Sequence, residues 1–197
     1  KIIVMDDGLQ NSSLAKDFSL AVVDARRGIG NGLVFPAGPL RAPLDTQLRR
    51  ADALLVIGEG KGASVIAAAA PQLAIFHGRL TPDPAVVASL QARKVLAFAG
   101  IGDPEKFFAT AVNAGIDVVQ RRSFADHHRY NGEEAGELIM QAEHNGLSLL
   151  TTEKDRARMA GDPLLAALAA KSHVLPVTLT VDDADALRRL VLDKIRR

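Results

Sequence analysis

The sequence predicts an α/β fold built on parallel sheets. Short apolar runs alternate with helix-like segments along most of the 197 residues, and this alternation is typical of strands joined by crossover helices. The apolar runs are continuous, as expected for strands buried on both faces. Hydrophobic residues make up 48% of the chain, a composition that excludes a disordered or fibrous protein.

The eight strands and three principal helices are expected in a definite order. One helix has Asp103 as its cap with Pro104 in the first turn, and another is closed by Asn145-Gly146. The strands are expected at residues 2–5, 20–23, 53–57, 73–76, 95–98, 118–119 with their flanks, 148–151 and 174–179, and the helices at 104–113, 133–143 and 183–195.

Two domains are expected, with their boundary near Pro82 and Pro84, where the periodicity breaks. Residues 1–80 form the first domain, 81–90 a linker, and 91–197 a second α/β domain, with the option that the last strand and helix return to the first. The chain opens with Lys1 and enters an apolar run at once. We therefore expect it to be the C-terminal portion of a longer protein.

Composition excludes several kinds of function. The 24 basic and 23 acidic residues leave a net charge of +1, so no overall basic field draws the chain to nucleic acid. Cysteine is absent, which excludes disulfides, thiolate nucleophiles and zinc–thiolate sites. No apolar run reaches the ~18 residues that cross a bilayer, and no signal peptide is visible.

Two carboxylates, Asp6 and Asp7, follow the first expected strand and precede Gly8. Ligands in open α/β sheets bind outside the carboxyl ends of strands, and in P-loop phosphotransferases an aspartate at that place holds Mg²⁺. A turn that caps the next helix explains the same residues equally well, so both interpretations stay open.

A glycine-rich segment, residues 24–41, follows the second strand. Its four glycines and its basic residues Arg26, Arg27 and Arg41 are suited to holding an anion through backbone N–H groups and guanidinium forks. The alternative is an irregular surface loop. Long aperiodic connections are uncommon unless they are functional, which favours the anion site.

Three further segments carry polar groups to strand ends. Residues 98–104 offer a helix N-terminus to an anion, although tight strand–helix contact is the favoured explanation. Asp126 is placed to orient an imidazole near neutral pH, and the adjacent His127 and His128 are expected to point different ways, which disfavours a two-histidine metal chelate. Thr152 with Asp155 predicts a helix cap; the alternative is Lys154 facing a cleft.

Taken in order, these motifs resemble the tetraacyldisaccharide 4′-kinase family, the lipid A 4′-kinases, over residues 2–159. The matching segments are 6–10, 30–32, 36–41, 98–102, 126–128 and 152–155. The resemblance implies a P-loop-type parallel sheet remnant joined to a second, smaller Rossmann-like α/β domain. It also implies ATP-dependent, Mg²⁺-dependent transfer of phosphate to the 4′-hydroxyl of a tetraacyldisaccharide 1-phosphate in lipid A biosynthesis, at the cytoplasmic face of the inner membrane.

The resemblance also implies roles for individual residues. Asp6 matches the base that takes the proton of the 4′-hydroxyl, and Asp7 matches the neighbouring carboxylate that helps to hold Mg²⁺. His127 matches a histidine that contacts the catalytic aspartate across the domain cleft. Residues expected to contact the substrate are Arg27, Asn31, Arg41 and Asp126.

Two features depart from the family pattern. Asn11 stands where the family usually carries histidine, and the chain has no Gly-x-x-x-x-Gly-Lys-Ser/Thr loop; residues 58–62 have the wrong glycine spacing. We therefore expect no ATP-binding loop in this chain and little kinase activity from it alone. The rival hypotheses are a non-catalytic α/β binding module and a different doubly wound transferase or hydrolase; a P-loop upstream of Lys1 would favour the kinase.

Overall fold

The computed structural model describes residues 2–195, which divide into two units. The first unit contains the residues up to Leu80 together with those from Leu179 onwards, and the second is the continuous stretch Thr81–Thr178. The elements, in chain order, are β1 (Leu20–Asp24), α1 (Leu44–Leu48), β2 (Ala53–Ile57), α2 (Ser64–Ala69), β3 (Ala74–Pro82), α3 (Pro84–Leu90), β4 (Lys94–Ala99), α4 (Pro104–Asn113), β5 (Asp117–Ser123), α5 (Gly132–His144), β6 (Ser148–Thr151), α6 (Glu153–Met159), α7 (Ala166–Lys171), β7 (Ser172–Val174), β8 (Val177–Val181) and α8 (Ala184–Ile195).

The first unit is built on a four-stranded sheet in the order β1-β2-β3-β8. Strands β1, β2 and β3 pair in parallel. Strand β2 lies inside this sheet and is almost wholly buried, which accounts for its continuous apolar sequence. The small core of this unit consists of Ala25, Leu48, Leu54, Val56, Ala63, Ile66 and Ala70.

The second unit is built on a parallel sheet in the order β5-β4-β6-β7. Its central strand β4 supplies both cores, because successive side chains of a strand point to opposite faces. Val95 and Ala97 lie in the cluster formed with α3 and α4. Leu96 and Phe98 lie in the cluster formed with α5, α6 and α7.

The strand expected at residues 2–5 is wrong. Ile2, Ile3 and Val4 are 74–89% exposed and form no strand. A strand exists only where a neighbour completes its hydrogen-bond ladder, and no described residue offers residues 2–5 such a partner. The apolar pattern alone therefore does not produce a strand here.

Residues 81–90, treated above as a linker, contain the end of β3 and the helix α3. The side chain of Asp83 accepts hydrogen bonds from the backbone N–H groups of Ala85 and Val86, and Pro84 occupies the first turn. Both features begin a helix. Leu90 is fully buried at its end, so core contacts hold this helix in place.

The single strand expected at residues 174–179 is two strands in different sheets. β7 pairs with β6, whereas β8 joins the sheet of the first unit. Pro176 lies between them, and proline cannot donate a backbone hydrogen bond to a ladder. The proline therefore separates two strands where the apolar run suggested one.

The helices expected from capping signals are present. Asp103 caps α4 with Pro104 in its first turn, and α5 ends at His144 before Asn145 and the left-handed Gly146. Within residues 2–195 no helix has both the length and the apolar character needed to cross a membrane.

Candidate functional site

The first candidate group contains Asp6, Asp7 and Arg41 in the first unit. Asp7 is in the left-handed region with φ of 52°, and its Oδ2 lies 2.7 Å from Nη2 of Arg41. Both side chains of this ion pair are more than half exposed, and such pairs contribute at most about 1 kcal/mol. Because this ion pair is weak, another cation can replace Arg41 as the partner of Asp7.

Asp6 and Asp7 fit the chemistry of a magnesium site. Both are exposed, and Mg²⁺ in nucleotide sites is usually held by one or two carboxylates together with phosphate oxygens. Within residues 2–195 no group of three or more acidic, histidine or cysteine side chains is arranged to hold a metal ion by itself. A magnesium ion here would depend on ligands from a bound nucleotide.

A small open pocket of about 150 Å³ lies beside Arg41. Arg41 and Arg50 bring positive charge to it, and the Nη1 of Arg50 lies 3.5 Å from the carbonyl oxygen of Gln10. Its size suits an anionic group rather than a whole substrate. Sequence reasoning missed two lining residues, Thr46 in the short helix α1 and Arg50 just after it. The helix has no capping side chain from which it could be predicted.

The backbone of the glycine-rich loop is occupied by its own hydrogen bonds. Oδ1 of Asp24 accepts from the N–H groups of Arg26 and Arg27, and Gly28 donates to the carbonyl of Asp24. A Cβ on Gly28, whose φ is +56°, would lie 2.1 Å from the carbonyl oxygen of Gly62. The N–H groups of Arg26, Arg27 and Gly28 are bonded to Asp24 and are not available to cradle an anion, so any anion contact of these residues falls to the guanidinium groups.

Asn31 is also used inside this loop. Its Nδ2 donates to the carbonyl of Ala37 at 2.9 Å, and its Oδ1 accepts from the N–H of Leu33 at 3.1 Å. Arg27 and Arg41 lie on the same loop system and are exposed. Asn31 therefore shapes the loop, and its direct contact with a substrate stays a prediction.

The second candidate group lies in the second unit, at the carboxyl ends of β5, β4 and β6. These strands are parallel neighbours, so the segments that follow them meet at one edge of the sheet. A Cβ on Gly100 would lie 3.0 Å from Cβ of His128, and one on Gly102 would lie 3.2 Å from Oδ2 of Asp126. The glycines allow the Asp126-His127-His128 segment to lie directly against this turn, a contact with the segment after β5 and not the strand–helix contact that was expected.

Asp155 organises this edge from a completely buried position. Its Oδ1 accepts from the N–H of Gly100 at 3.2 Å, and its Oδ2 accepts from Oγ1 of Thr152 at 2.6 Å. Oγ1 of Thr152 in turn accepts from the N–H of Asp155. Thr152 is thus the N-cap of α6, as predicted. The Nη1 of Arg158 donates to Oδ1 of Asp155 at 3.0 Å and to the carbonyl oxygen of Gly100 at 2.6 Å.

His127 is presented to solvent from this edge. Its side chain is 82% exposed, its φ is 59°, and its N–H donates to the carbonyl of Gly100. Nη2 of Arg158 lies 3.3 Å from Nδ1 of the ring, and Nε2 lies 3.8 Å from Oδ2 of Asp126. An exposed imidazole with a carboxylate beside it is suited to proton transfer or to contact with a reacting group.

His128 points the other way and has a structural role. Its ring stacks on Phe124 at 4.8 Å, and its Nε2 lies 2.9 and 3.0 Å from the two carboxylate oxygens of Glu134. Burial raises the pKa of Glu134, but the hydrogen bonds from His128 and from the N–H of Asn131 outweigh it, so the net pKa is lowered. Burial raises the pKa of Tyr130, and the charge of Asp155 adds to that effect, so this phenol stays neutral.

The predicted site residues thus fall into two groups. Asp7 and Arg41 are in contact in the first unit, and Asp126 and His127 are neighbours in the second. The expected approach of His127 to Asp6 joins residues of different units and stays a prediction. Sequence reasoning gave Asp155 only as part of a cap and missed Arg158, because nothing in the local sequence shows that a side chain in the last turn of α6 reaches His127.

Comparison with known proteins identifies the family. The family model described as LpxK, tetraacyldisaccharide-1-P 4′-kinase, matches residues 1–196. The chain belongs to this family. It is 53% identical to the tetraacyldisaccharide 4′-kinase of Rhodopseudomonas palustris strain BisA53 over 98% of this chain and 57% of the relative. It is 50% identical to that of Nitrobacter hamburgensis strain X14 over all of this chain and 59% of the relative.

A solved structure shares the fold. It is the crystal structure of "apo" form LpxK from Aquifex aeolicus in complex with ATP, with a TM-score of 0.62, 24% identity, and coverage of 95% of this chain and 56% of that chain. The expected α/β fold with parallel sheets is therefore confirmed. The chain spans a little under 60% of the length of the curated relatives named above.

Proposed function

We propose that the protein containing this chain is an ATP-dependent kinase. It transfers the γ-phosphate of ATP to the 4′-hydroxyl of a tetraacyldisaccharide 1-phosphate, a step of lipid A biosynthesis. The observation that supports this proposal most is family membership over residues 1–196. The chain carries no Gly-x-x-x-x-Gly-Lys-Ser/Thr loop, so by itself it lacks the groups that neutralise the β- and γ-phosphates.

In this proposal Asp6 is the base and Asp7 is a magnesium ligand. Phosphoryl transfer needs positioning and charge neutralisation, and a carboxylate accepts the proton of the attacking hydroxyl. Asp6 has no hydrogen bond or ion pair with any other described residue, which leaves its oxygens available for a hydroxyl. Mg²⁺ would supply neutralising charge to the transferring phosphoryl group.

His127, with Asp126 as its neighbour, is proposed to contact the reacting carboxylate when the two domains close around substrate. Closure of this kind completes many kinase sites and excludes water. The exposed ring of His127 is available for that contact. A histidine supplied by one domain to a carboxylate of the other would make turnover conditional on closure.

The lipid headgroup is proposed to contact Arg27 and Arg41, which lie on the glycine-rich segment 24–41 that the hydrogen bonds of Asn31 stabilise. The same loop carries Phe35, which is 78% exposed, and Leu33, which is 52% exposed. Basic and apolar side chains on one exposed loop suit a phosphorylated lipid at a membrane surface. We therefore propose that the protein acts at the cytoplasmic face of the inner membrane and does not use nucleic acid as a partner.

The test is a kinase assay with ATP, Mg²⁺ and a tetraacyldisaccharide 1-phosphate acceptor. The full-length parent protein is compared with the 197-residue chain at equal concentration. We expect turnover from the parent and negligible turnover from the chain. Inactivity of the parent would overturn the proposed function, and full turnover by the chain would show that phosphate binding needs no loop of the missing type.

A further inference from the structure

Arg158 holds an unusual position between a buried carboxylate and an exposed histidine. Its guanidinium is 21% exposed and contacts Asp155, whose side chain is 0% exposed. A buried carboxylate that accepts several hydrogen bonds is a fixed anchor, because moving it would leave a charge unpaired in the interior. Oδ1 and Oδ2 of Asp155 receive donors from Gly100, Thr152 and Arg158.

The other side of the guanidinium reaches the imidazole. Nη2 of Arg158 lies 3.3 Å from Nδ1 of His127. Arginine has five donor N–H groups and no acceptor, so Nδ1 must be the acceptor in this hydrogen bond and cannot carry a proton. In the neutral ring the proton is then on the other nitrogen, Nε2, which lies 3.8 Å from Oδ2 of Asp126.

We propose that Asp155 and Arg158 are positioning residues for His127. Asp155 fixes the guanidinium of Arg158, which fixes both the ring orientation and the protonated nitrogen of His127, so that Nε2–H rather than Nδ1–H is offered to the reacting group. The importance of this for turnover rests on the proposed function of His127, whereas the tautomer itself does not. Second-layer partners of a functional histidine fix its tautomer and orientation in the same way in many sites.

The backbone of the loop supports this role. The N–H of His127 and Nη1 of Arg158 both donate to the carbonyl oxygen of Gly100. The carbonyl oxygen of Gly100, just after β4, therefore holds the main chain of His127 directly and its ring through Arg158. Removal of the guanidinium would free the ring while the main-chain bond from His127 to Gly100 remains, but it would also leave the buried Asp155 without its cation. The melting temperature of each variant is therefore measured beside its activity.

The first measurement is nuclear magnetic resonance of ¹⁵N-histidine-labelled 197-residue chain at a pH where the ring is neutral. We expect His127 to show one tautomer, with the proton on Nε2, and Arg158→Met to spread the proton over both nitrogens. Arg156→Met is the matched control, because it removes the same charge from the same helix and its side chain has no hydrogen bond or ion pair among the described residues. An unchanged tautomer in Arg158→Met would overturn the proposal.

The second measurement is kinetics of the full-length parent. We expect Arg158→Met to lower kcat by about 10- to 100-fold, the size of loss that follows a misplaced catalytic group, and Arg156→Met to change it by less than about twofold. In the His127→Ala background Arg158→Met should cost nothing further, since residues acting as a unit are not additive. A full additional loss in that background, or an unchanged kcat in Arg158→Met, would overturn the proposal.

A third variant guards against a folding defect. Arg158→Lys keeps a positive charge beside Asp155 and a hydrogen-bond donor but loses the planar fork of the guanidinium. It should melt at the same temperature as wild type and recover part of the kcat that Arg158→Met loses. A lysine variant that is folded but no better than the methionine variant would contradict the proposal. If the parent has no kinase activity, the proposed function fails, and the tautomer measurement still decides the positioning.

Discussion

Two of the residues singled out as functional share an uncommon backbone conformation. Asp7 and His127 are the non-glycine residues with positive φ among residues 2–195, at 52° and 59°. Such conformations cost roughly 1–3 kcal/mol and persist where surrounding contacts impose them, often at functional sites. The conformation thus adds independent weight to the two side chains that the sequence motifs selected.

The role of Asp6 is testable by kinetics of the full-length parent. Asp6→Asn should lower kcat by about 10²–10⁴-fold with little change in KM, because loss of a base acts on the transition state. Asp7→Asn should instead recover activity partly at high Mg²⁺. If Asp6 only shapes a turn, the variant should lose about 1 kcal/mol of stability with near-normal kcat, and a kcat within a few-fold of the parent would remove it as the base.

The lowered pKa of Glu134 predicts a pH-dependent stability. A carboxyl whose folded pKa is depressed stabilises the native state above the unfolded pKa, near 4.5, and this contribution is lost as pH falls through the folded value. Glu134→Gln should therefore destabilise the chain at pH 7, and the difference from wild type should shrink below about pH 4.5. Chemical denaturation from pH 7 to 3 measures it.

Glu133→Gln is the control for that experiment, since Glu133 is exposed in the same first turn and makes no contact with His128. It should change stability little at any pH. A Glu134→Gln effect that stays constant from pH 7 to 3 would show that its ion pair with His128 does not contribute to the pH dependence.

Among the helices, α6 depends most clearly on one side chain. Oγ1 of Thr152 accepts from the N–H of Asp155 and donates to its carboxylate. Thr152→Ala removes a cap, which costs about 0.5–2 kcal/mol, and also a donor to a buried charge. We expect a loss of about 2 kcal/mol and a fall in melting temperature of several degrees, measured by circular dichroism.

Thr152→Ser keeps the hydroxyl and is the matched control. It should retain most of the stability that Thr152→Ala loses. Equal melting temperatures for the alanine variant and wild type would show that the cap contributes nothing, and equal losses for serine and alanine would assign the effect to the methyl group.

Elements were predictable from sequence where the local pattern agreed with the tertiary contacts. The bounds of β2 and β6 match the expected strands, because their apolar runs lie inside their sheets. Residues 2–5 carry the same pattern without a partner strand, and α3 was missed because Pro82 and Pro84 at its start suggested a break. Local pattern cannot report which neighbour a segment will have.

The candidate site was predictable to a similar extent. Asp126 and His127 were found because they are adjacent in the motif, and Asp7 because it follows an apolar run. The contact between Arg158 and His127 joins residues 31 positions apart, and it depends on β4 lying between β5 and β6. Sequence spacing carries no information on such a contact.

At the scale of the whole molecule, the second unit should fold by itself. Residues 81–178 are continuous and contain two core clusters of buried side chains, one on each face of the sheet. Expressed alone, they should unfold in one cooperative thermal transition with native secondary structure, followed by circular dichroism. Absence of a cooperative transition would show that the unit depends on the remaining residues.

Residues 1–80 expressed alone are the comparison. They lack β8, which borders β3, and they lack Lys194, whose Nζ lies 2.8 Å from Oδ1 of Asp52. With one small core cluster and an incomplete sheet, they should show no cooperative transition. A stable fold of residues 1–80 would show that β8 and α8 are dispensable.

The discontinuous first unit sets an order of events during protein synthesis. Strand β8 and helix α8 leave the ribosome only after the whole stretch Thr81–Thr178 has been translated, and at about 5–20 residues per second that takes on the order of 5–20 s. During this interval the nascent chain carries β1, β2 and β3 with the edge of β3 open, and open strand edges recruit chaperones or other chains. The second unit, which is continuous in sequence, can therefore complete its fold while the first unit still lacks its last strand.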